Sequence, residues 1–174
     1  MILTSDRLTI RPFRAEDAQP FADYRSDPDV ARYQDWSTPF PVEAAARMID
    51  EMTDPAEPGW FQYAVDLDGT LIGDVGVNTH ENLMQADIGY TLAPAHQGHG
   101  YATEAVQLML RHLFDERGLH RVSAECDARN ERSVKLLTRL GFRQEGHRVA
   151  HTWIKGEWTD DLLFGLLAVD FRRL

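Results

Sequence analysis

The sequence is poor in cysteine, in lysine and in long apolar runs. Its one cysteine, Cys126, cannot close an intramolecular disulfide, which excludes a small disulfide-stapled secreted scaffold. No apolar stretch approaches the roughly 20 residues of a bilayer-spanning helix. The stretch from Met1 to Arg14 lacks the basic-then-apolar order of a secretory signal, so a reducing cytoplasm is the expected setting. Basic residues are outnumbered 18 to 28, for a net charge of −10. Broad binding to nucleic acid or to an anionic membrane is disfavoured, because both attract Lys/Arg-rich faces. A cationic small partner suits this field. Lys135 and Lys155 are the only lysines.

What is present describes an ordinary globular chain. At 174 residues with 43% hydrophobic side chains, it fits one domain over residues 1–174, since domains run about 50–250 residues. There is no internal repeat, low-complexity segment or linker. Alternation from Leu8 to Phe13 predicts a first strand. Helical spacing predicts helices over 15–26 and 42–52, the first stopped at Asp27-Pro28. Strands are expected over 60–66, 71–79 and 85–92, with Asp68-Gly69 as a hairpin turn. A helix over 101–116, a strand over 122–126, a helix over 130–140 and strands over 142–152 and 158–169 follow, the last two joined by Lys155-Gly156. This order mixes antiparallel meanders with a helical crossover. It predicts an α/β (α+β) fold with one mixed, mostly antiparallel central sheet flanked by helices, not a doubly wound parallel fold.

The chemistry concentrates where the strand ending at Leu92 turns through Gln97-Gly98-His99-Gly100-Tyr101-Ala102 into a helix. Amides at a helix start lack intrahelical acceptors, glycines let the chain curl close to a ligand, and the helix dipole favours an anion there. A phosphate or pyrophosphate is the indicated guest. A P-loop is excluded because Tyr101 stands where its lysine would fall, and a dinucleotide fingerprint because Thr103 replaces the required glycine.

The pattern that fits is Gln/Arg-x-x-Gly-x-Gly/Ala over Gln97 to Ala102, followed by Thr103-Glu104-Ala105. In these residues the chain resembles the GNAT superfamily of acetyl-coenzyme-A-dependent N-acetyltransferases. Asn130 to Phe142 resembles the family's second signature. Thr4 to Phe13 and Lys155 to Asp161 are similar to the branch that includes ribosomal-protein-alanine N-acetyltransferases. The resemblance implies the GNAT acyl-CoA N-acyltransferase fold, with acetyl-CoA as acyl donor and no metal. It implies that the amides of Gln97, Gly98, His99, Gly100, Tyr101 and Ala102 cradle the pyrophosphate. Tyr90, Thr91 and Leu92 would splay from the next strand and pair with the pantetheine arm, an N–H near Leu92 holding the thioester oxygen. Asn130 would bond the pantetheine, and Ser133 would lie near the sulfur. Many members carry Tyr where this chain has Leu137, and that Tyr can protonate the leaving thiolate. Leu137 cannot, which leaves Ser133, or water, as general acid.

The acceptor is expected to be a primary amine, foremost a peptide or protein N-terminal amine. The rivals are a small cationic amine (an aminoglycoside, polyamine or amino acid) or no acceptor at all, in a non-catalytic acyl-CoA-binding module. A homodimer stays open. Only a neutral amine attacks. An α-amine with pKa ~8 is about one-tenth neutral at pH 7, whereas lysine at ~10.4 needs roughly 3.4 units of help, about 4.6 kcal/mol. Asp87 and Glu81 are the candidate bases, through a water chain. Asp35, Trp36 and Trp158 are the expected acceptor lining. His147 and His151, four apart on a strand, would lie about 13 Å from each other, too far to share a metal. Cys126 reads as a small buried strand residue.

Overall fold

A computed structural model of the chain describes residues 1–52 and 54–173. Its sheet is built from β1 (Leu3–Thr4), β2 (Thr9–Pro12), β3 (Gly59–Leu67), β4 (Thr70–Thr79), β5 (Gln85–Leu92), β6 (Arg121–Asp127), β7 (Arg143–Ile154) and β8 (Glu157–Leu167). The spatial order is β1-β2-β3-β4-β5-β6-β8-β7. Every neighbouring pair is antiparallel except β5 and β6. The two-residue turns Asp68-Gly69 and Lys155-Gly156 both hold positive φ at each position, the geometry that matches strand twist in a hairpin. Gly supplies the second position of each without steric cost.

Alternation along the strands separates two cores. Tyr63, Val65 and Ile72 face one way and join the main cluster with Val106, Met109, Leu110 and Leu137. These come from α4 (Tyr101–Arg111) and α5 (Glu131–Arg139). Ala64 and Leu71 face the other way, against Phe21 and Ala45 of α1 (Ala18–Arg25) and α3 (Val42–Asp50). The apolar spacing over 101–116 is met, though the last five residues, His112–Glu116, widen into a π-helical turn.

Several boundaries differ from the sequence expectation. The helix expected over 15–26 is a 3-10 turn (Ala15–Asp17) followed by α1. Asp27-Pro28 does more than stop it. The Asp27 carboxylate accepts from the amides of Asp29 (2.8 Å) and Val30 (3.2 Å), and so caps a short α2 (Pro28–Ala31) with Pro at its first position. The chain also carries β1 at its start and α6 (Ala168–Phe171) after β8. These three elements are too short for periodicity to reveal.

A buried ion triad ties α1's entrance to the sheet. Arg11 donates to Asp17 through two nitrogens (2.6 and 3.0 Å) and to Asp66 at 3.1 and 3.2 Å. Asp17 also accepts from the Arg14 amide at 2.7 Å. Burial pushes the Asp17 carboxyl up, but the Arg11 and Arg14 hydrogen bonds outweigh it and hold the group below its ordinary value. A depressed carboxylate contributes stability that is present above its unfolded pKa and lost as pH falls through its folded value. Asp17→Ala should therefore destabilise the fold by about 3 kcal/mol at pH 7, the low end for breaking a buried pair. The melting-temperature gap to wild type should close below about pH 4. A gap independent of pH between 3 and 7 would assign the loss to packing instead.

Candidate functional site

The parallel pairing of β5 with β6 covers only Gln85↔Arg121, Ala86↔Val122 and Asp87↔Ser123. Beyond Asp87 the strands part. A cleft of about 1780 Å³ passes through the split, lined on one side by Ile88 to Leu92 and on the other by Ala124 to Asp127. Ala93 donates its amide to Ile72 of β4. Backbone groups alternate sides along a strand, so the N–H groups of Tyr90 and Leu92 face away from β4, into the split. The local fold thus leaves donors along one wall of the split.

At one end the channel meets the start of α4. Gly98 and Gly100 adopt φ +80° and +83°, a region costly for side-chain-bearing residues. Among the described residues, the amides of Gly98, His99, Gly100, Tyr101, Ala102 and Thr103 have no internal acceptor. The first helical donor is Glu104, to the Gly100 carbonyl at 3.0 Å. Gln97 departs from expectation. Its amide is used by the Pro94 carbonyl (3.2 Å), so it is not free for an anion. Its side chain instead braces the loop, donating to the Leu92 carbonyl (3.0 Å) and accepting from Arg132 (2.7 Å). Arg132, Lys135 and Arg139 of α5 line this end of the cleft. Open amides, a helix N-terminus and nearby cations fit a diphosphate.

Arg7 was not legible as part of this loop from sequence. It donates to the His99 carbonyl at 3.2 Å and through Nε to Glu104 at 2.7 Å, and its guanidinium sits 4.6 Å over the Tyr101 ring. Ser5 also donates to Glu104 (2.7 Å). Burial opposes ionisation of Glu104, yet Ser5 and Arg7 hold its carboxyl below the ordinary value. The one acid in the helix's first turn is thereby neutralised. His99 stacks on Tyr101 at 5.7 Å and contributes no ring contact to the cleft lining.

Midway along the channel, Asn130 caps α5, its side-chain oxygen accepting the Ser133 amide (3.2 Å). The Ser133 hydroxyl lies 2.6 Å from the Tyr90 hydroxyl. Burial pushes the Tyr90 phenol well above its ordinary range, the Ser133 bond only partly opposing it, so Tyr90 stays protonated. Cys126 shares this part of the wall. Burial drives its thiol up to about 11, with Ser133 opposing. Only a trace is thiolate at neutral pH, which argues against a covalent acyl-cysteine. Leu137 is fully buried in the core.

The other end of the cleft takes in Asp35 and Trp36, together with Arg25, Asp27, Asp29 and Asp74. The β7–β8 hairpin reaches across it through a Lys155 contact to the Ala31 carbonyl, and Tyr33 donates to the Arg129 carbonyl at 3.3 Å. Three expected residues are placed elsewhere. Trp158 is exposed and packs edge-on against Trp153 at 5.3 Å, away from the lining. Asp87 lies at the closed end of the split, held by His80 (2.9 Å) and Asn78 (3.1 Å). Glu81 borders a separate shallow depression. Neither acid is brought together with Ser133. The carboxylate that does line the cleft where β6 leaves β5 is Glu125, bonded to Arg148 at 3.2 Å. Glu125 carries no mark in the sequence, because nothing there tells where β6 parts from β5.

His147 and His151 do not pair with each other. Each takes a carboxylate of β8: Asp160 at 2.7 Å and Asp161 at 3.0 Å. A bulge between Arg148 and Thr152 separates them. His151, Asp161 and Glu125 bring candidate ligand atoms within 4.8 Å of one another, a grouping that histidine spacing alone does not suggest. Asp161 is already bonded by Thr152 at 2.6 Å, and Glu125 by Arg148.

Comparison with known proteins bears on the family and the fold. The family model described as an acetyltransferase (GNAT) domain matches residues 7–143. An uncharacterized N-acetyltransferase of Bacillus licheniformis, p20, is 35% identical over 175 residues, covering 97% of both chains. The ribosomal protein uS5-alanine N-acetyltransferase of Escherichia coli K12 is 29% identical, covering 97% of this chain and 92% of its own. The crystal structure of a GNAT-family acetyltransferase from Bacillus anthracis superposes with a TM-score of 0.88 at 27% identity, over 97% of this chain and 99% of that one. The family model and the 35%-identical relative show that the chain belongs to the GNAT acetyltransferase family and is an N-acetyltransferase.

Proposed function

We propose that the protein acetylates the N-terminal amine of a peptide or protein. The observation that carries this reading is the continuous channel from the open amides of α4, through the β5–β6 split, to an acid-bearing pocket beside Asp35 and Trp36. Acetyl-coenzyme A supplies the activated acetyl group. The amides of Gly98 to Ala102 hold its pyrophosphate, with Arg132 beside them. The free edge of β5 at Tyr90 and Leu92 pairs with the pantetheine arm, and Asn130 adds a polar contact on the opposite wall. The Leu92 N–H polarises the thioester carbonyl, where charge develops as the amine attacks. The departing sulfur takes its proton from the Ser133–Tyr90 hydroxyl pair, which is reprotonated from solvent, and the amine gives its proton to water.

The acceptor class follows from basicity. Carboxylates near the split are engaged, Asp127 by Arg129 (2.7 Å) and Glu125 by Arg148, so no strong base stands ready. Such a site suits an α-amine, which needs roughly 3 kcal/mol less help at neutral pH than a lysine. The Escherichia coli relative that acts on a ribosomal-protein alanine supports the same choice.

A thiol-release assay over an amine panel tests the reading. Alanine-initiated peptides should turn over at least tenfold faster, in kcat/KM, than spermidine, an aminoglycoside or free lysine. Faster turnover of spermidine would move the acceptor to the polyamines. Tight coenzyme A binding without release of thiol to any amine would make the protein a binding module.

A further inference from the structure

The acceptor end holds a charged pair that the transfer chemistry leaves unused. Arg25, the last residue of α1, has a side chain only 7% exposed, and Asp74 of β4 only 2%. Arg25 donates to Asp74 at 3.1 Å, and its guanidinium lies 4.1 Å from the Trp36 ring and 4.3 Å from that of Phe21. A guanidinium carries five N–H donors. Among the described residues, Asp74 is the only hydrogen-bond partner of this one, and its Nε is buried without an acceptor. The Tyr24 hydroxyl, also buried, lies beside Asp74 and Arg25 without reaching hydrogen-bonding geometry with either. Buried polar groups are ordinarily satisfied, so this concentration of idle donors calls for an oxygen that the protein does not supply. Both Arg25 and Asp74 line the cleft. Asp74 is level with Thr91 on the adjoining strand, one residue from the Leu92 amide that opens into the split.

We infer that Arg25 and Asp74 form a recognition site for an α-amino group and the carbonyl oxygen next to it, which rests on the reading of the acceptor as a peptide N-terminus. The Asp74 carboxylate faces the ammonium as it arrives. The guanidinium, held flat by Trp36 and Phe21, donates to the carbonyl oxygen of the same residue. An N-terminal residue presents a nitrogen and a carbonyl oxygen at that short fixed separation. A polyamine presents cations alone and has no oxygen for the idle donors.

The test compares Arg25→Met with wild type on an alanyl dipeptide and on isopropylamine, which lacks the carbonyl. Taking each amine's variant-to-wild-type ratio cancels the difference in basicity. The expected result is a fall in kcat/KM, mainly through KM for the amine, that is at least tenfold larger for the dipeptide than for isopropylamine. Arg25→Lys keeps the charge beside Asp74 but loses the planar fork; it guards against misfolding of the Met variant and should show the same preference in weaker form. Equal losses on both amines, or none on either, would overturn the inference while leaving the N-terminal reading intact. Wild-type turnover of spermidine with none of the dipeptide would overturn both.

Discussion

Gly100→Val should raise the dissociation constant for coenzyme A at least thirtyfold, roughly 2 kcal/mol, while the protein remains folded. The magnitude corresponds to losing about one charge-assisted hydrogen bond from an amide to a phosphate oxygen. A Cβ built at Gly100 meets only a side-chain nitrogen of Arg7, at 3.6 Å. The protein therefore has room for the added atoms, and a loss of affinity would report on the ligand and not on a clash within the fold. The substitution's backbone cost is separate: φ is +83° there, and holding a branched residue in that region costs about 1–3 kcal/mol. A control isolates that cost. Gly69 in the β3–β4 turn has φ +85° and nothing within 4 Å of a built Cβ. Gly69→Val should lower the melting temperature by a comparable amount and leave coenzyme A affinity alone. Titration calorimetry and thermal melts of both variants measure the two effects. Unchanged affinity in Gly100→Val would place the diphosphate away from this loop.

The loop was legible because its conformational demand is local. Two glycines before a helix announce positive φ and unpaired amides whatever the rest of the chain does. The start of the helix at Asn130 was legible for the same reason: a helix boundary is set by residues that are neighbours in sequence. The hairpin turns at Asp68-Gly69 and Lys155-Gly156 belong to this class too. The residues that escaped depend on contacts between distant segments. Arg25 meets Asp74 across 49 positions and Arg11 meets Asp66 across 55. Arg7 reaches Glu104 across 97. Strand periodicity says which residues share a face but not where two parallel strands stop pairing. Asp87, expected as a base, lies where β5 still pairs with β6. The split begins only after it, and the side chain is consumed by His80 and Asn78. Trp158 looked like lining because the hairpin approaches the acceptor, yet its register pairs it with Trp153 at a position where both rings remain in solvent.

Ser133→Ala should lower kcat about 100-fold, the lower end for removing a general acid, and leave coenzyme A affinity within a factor of about two. The argument begins with Leu137, whose buried hydrocarbon side chain has no proton to give. Two hydroxyls of the cleft wall, those of Ser133 and Tyr90, lie 2.6 Å apart. Burial keeps the phenol protonated, so Tyr90 can donate to Ser133 as Ser133 donates to the departing sulfur. Two groups in one proton path give strongly non-additive losses. Tyr90→Phe should therefore cost less than Ser133→Ala, and the double variant no more than Ser133→Ala alone. Additive losses would mean that the two hydroxyls act separately. Measuring kcat against an amine of low basicity keeps the protonation of the acceptor from masking the step. A Ser133→Ala enzyme at the wild-type rate would reduce the serine to a residue of the capped turn and leave water to protonate the sulfur.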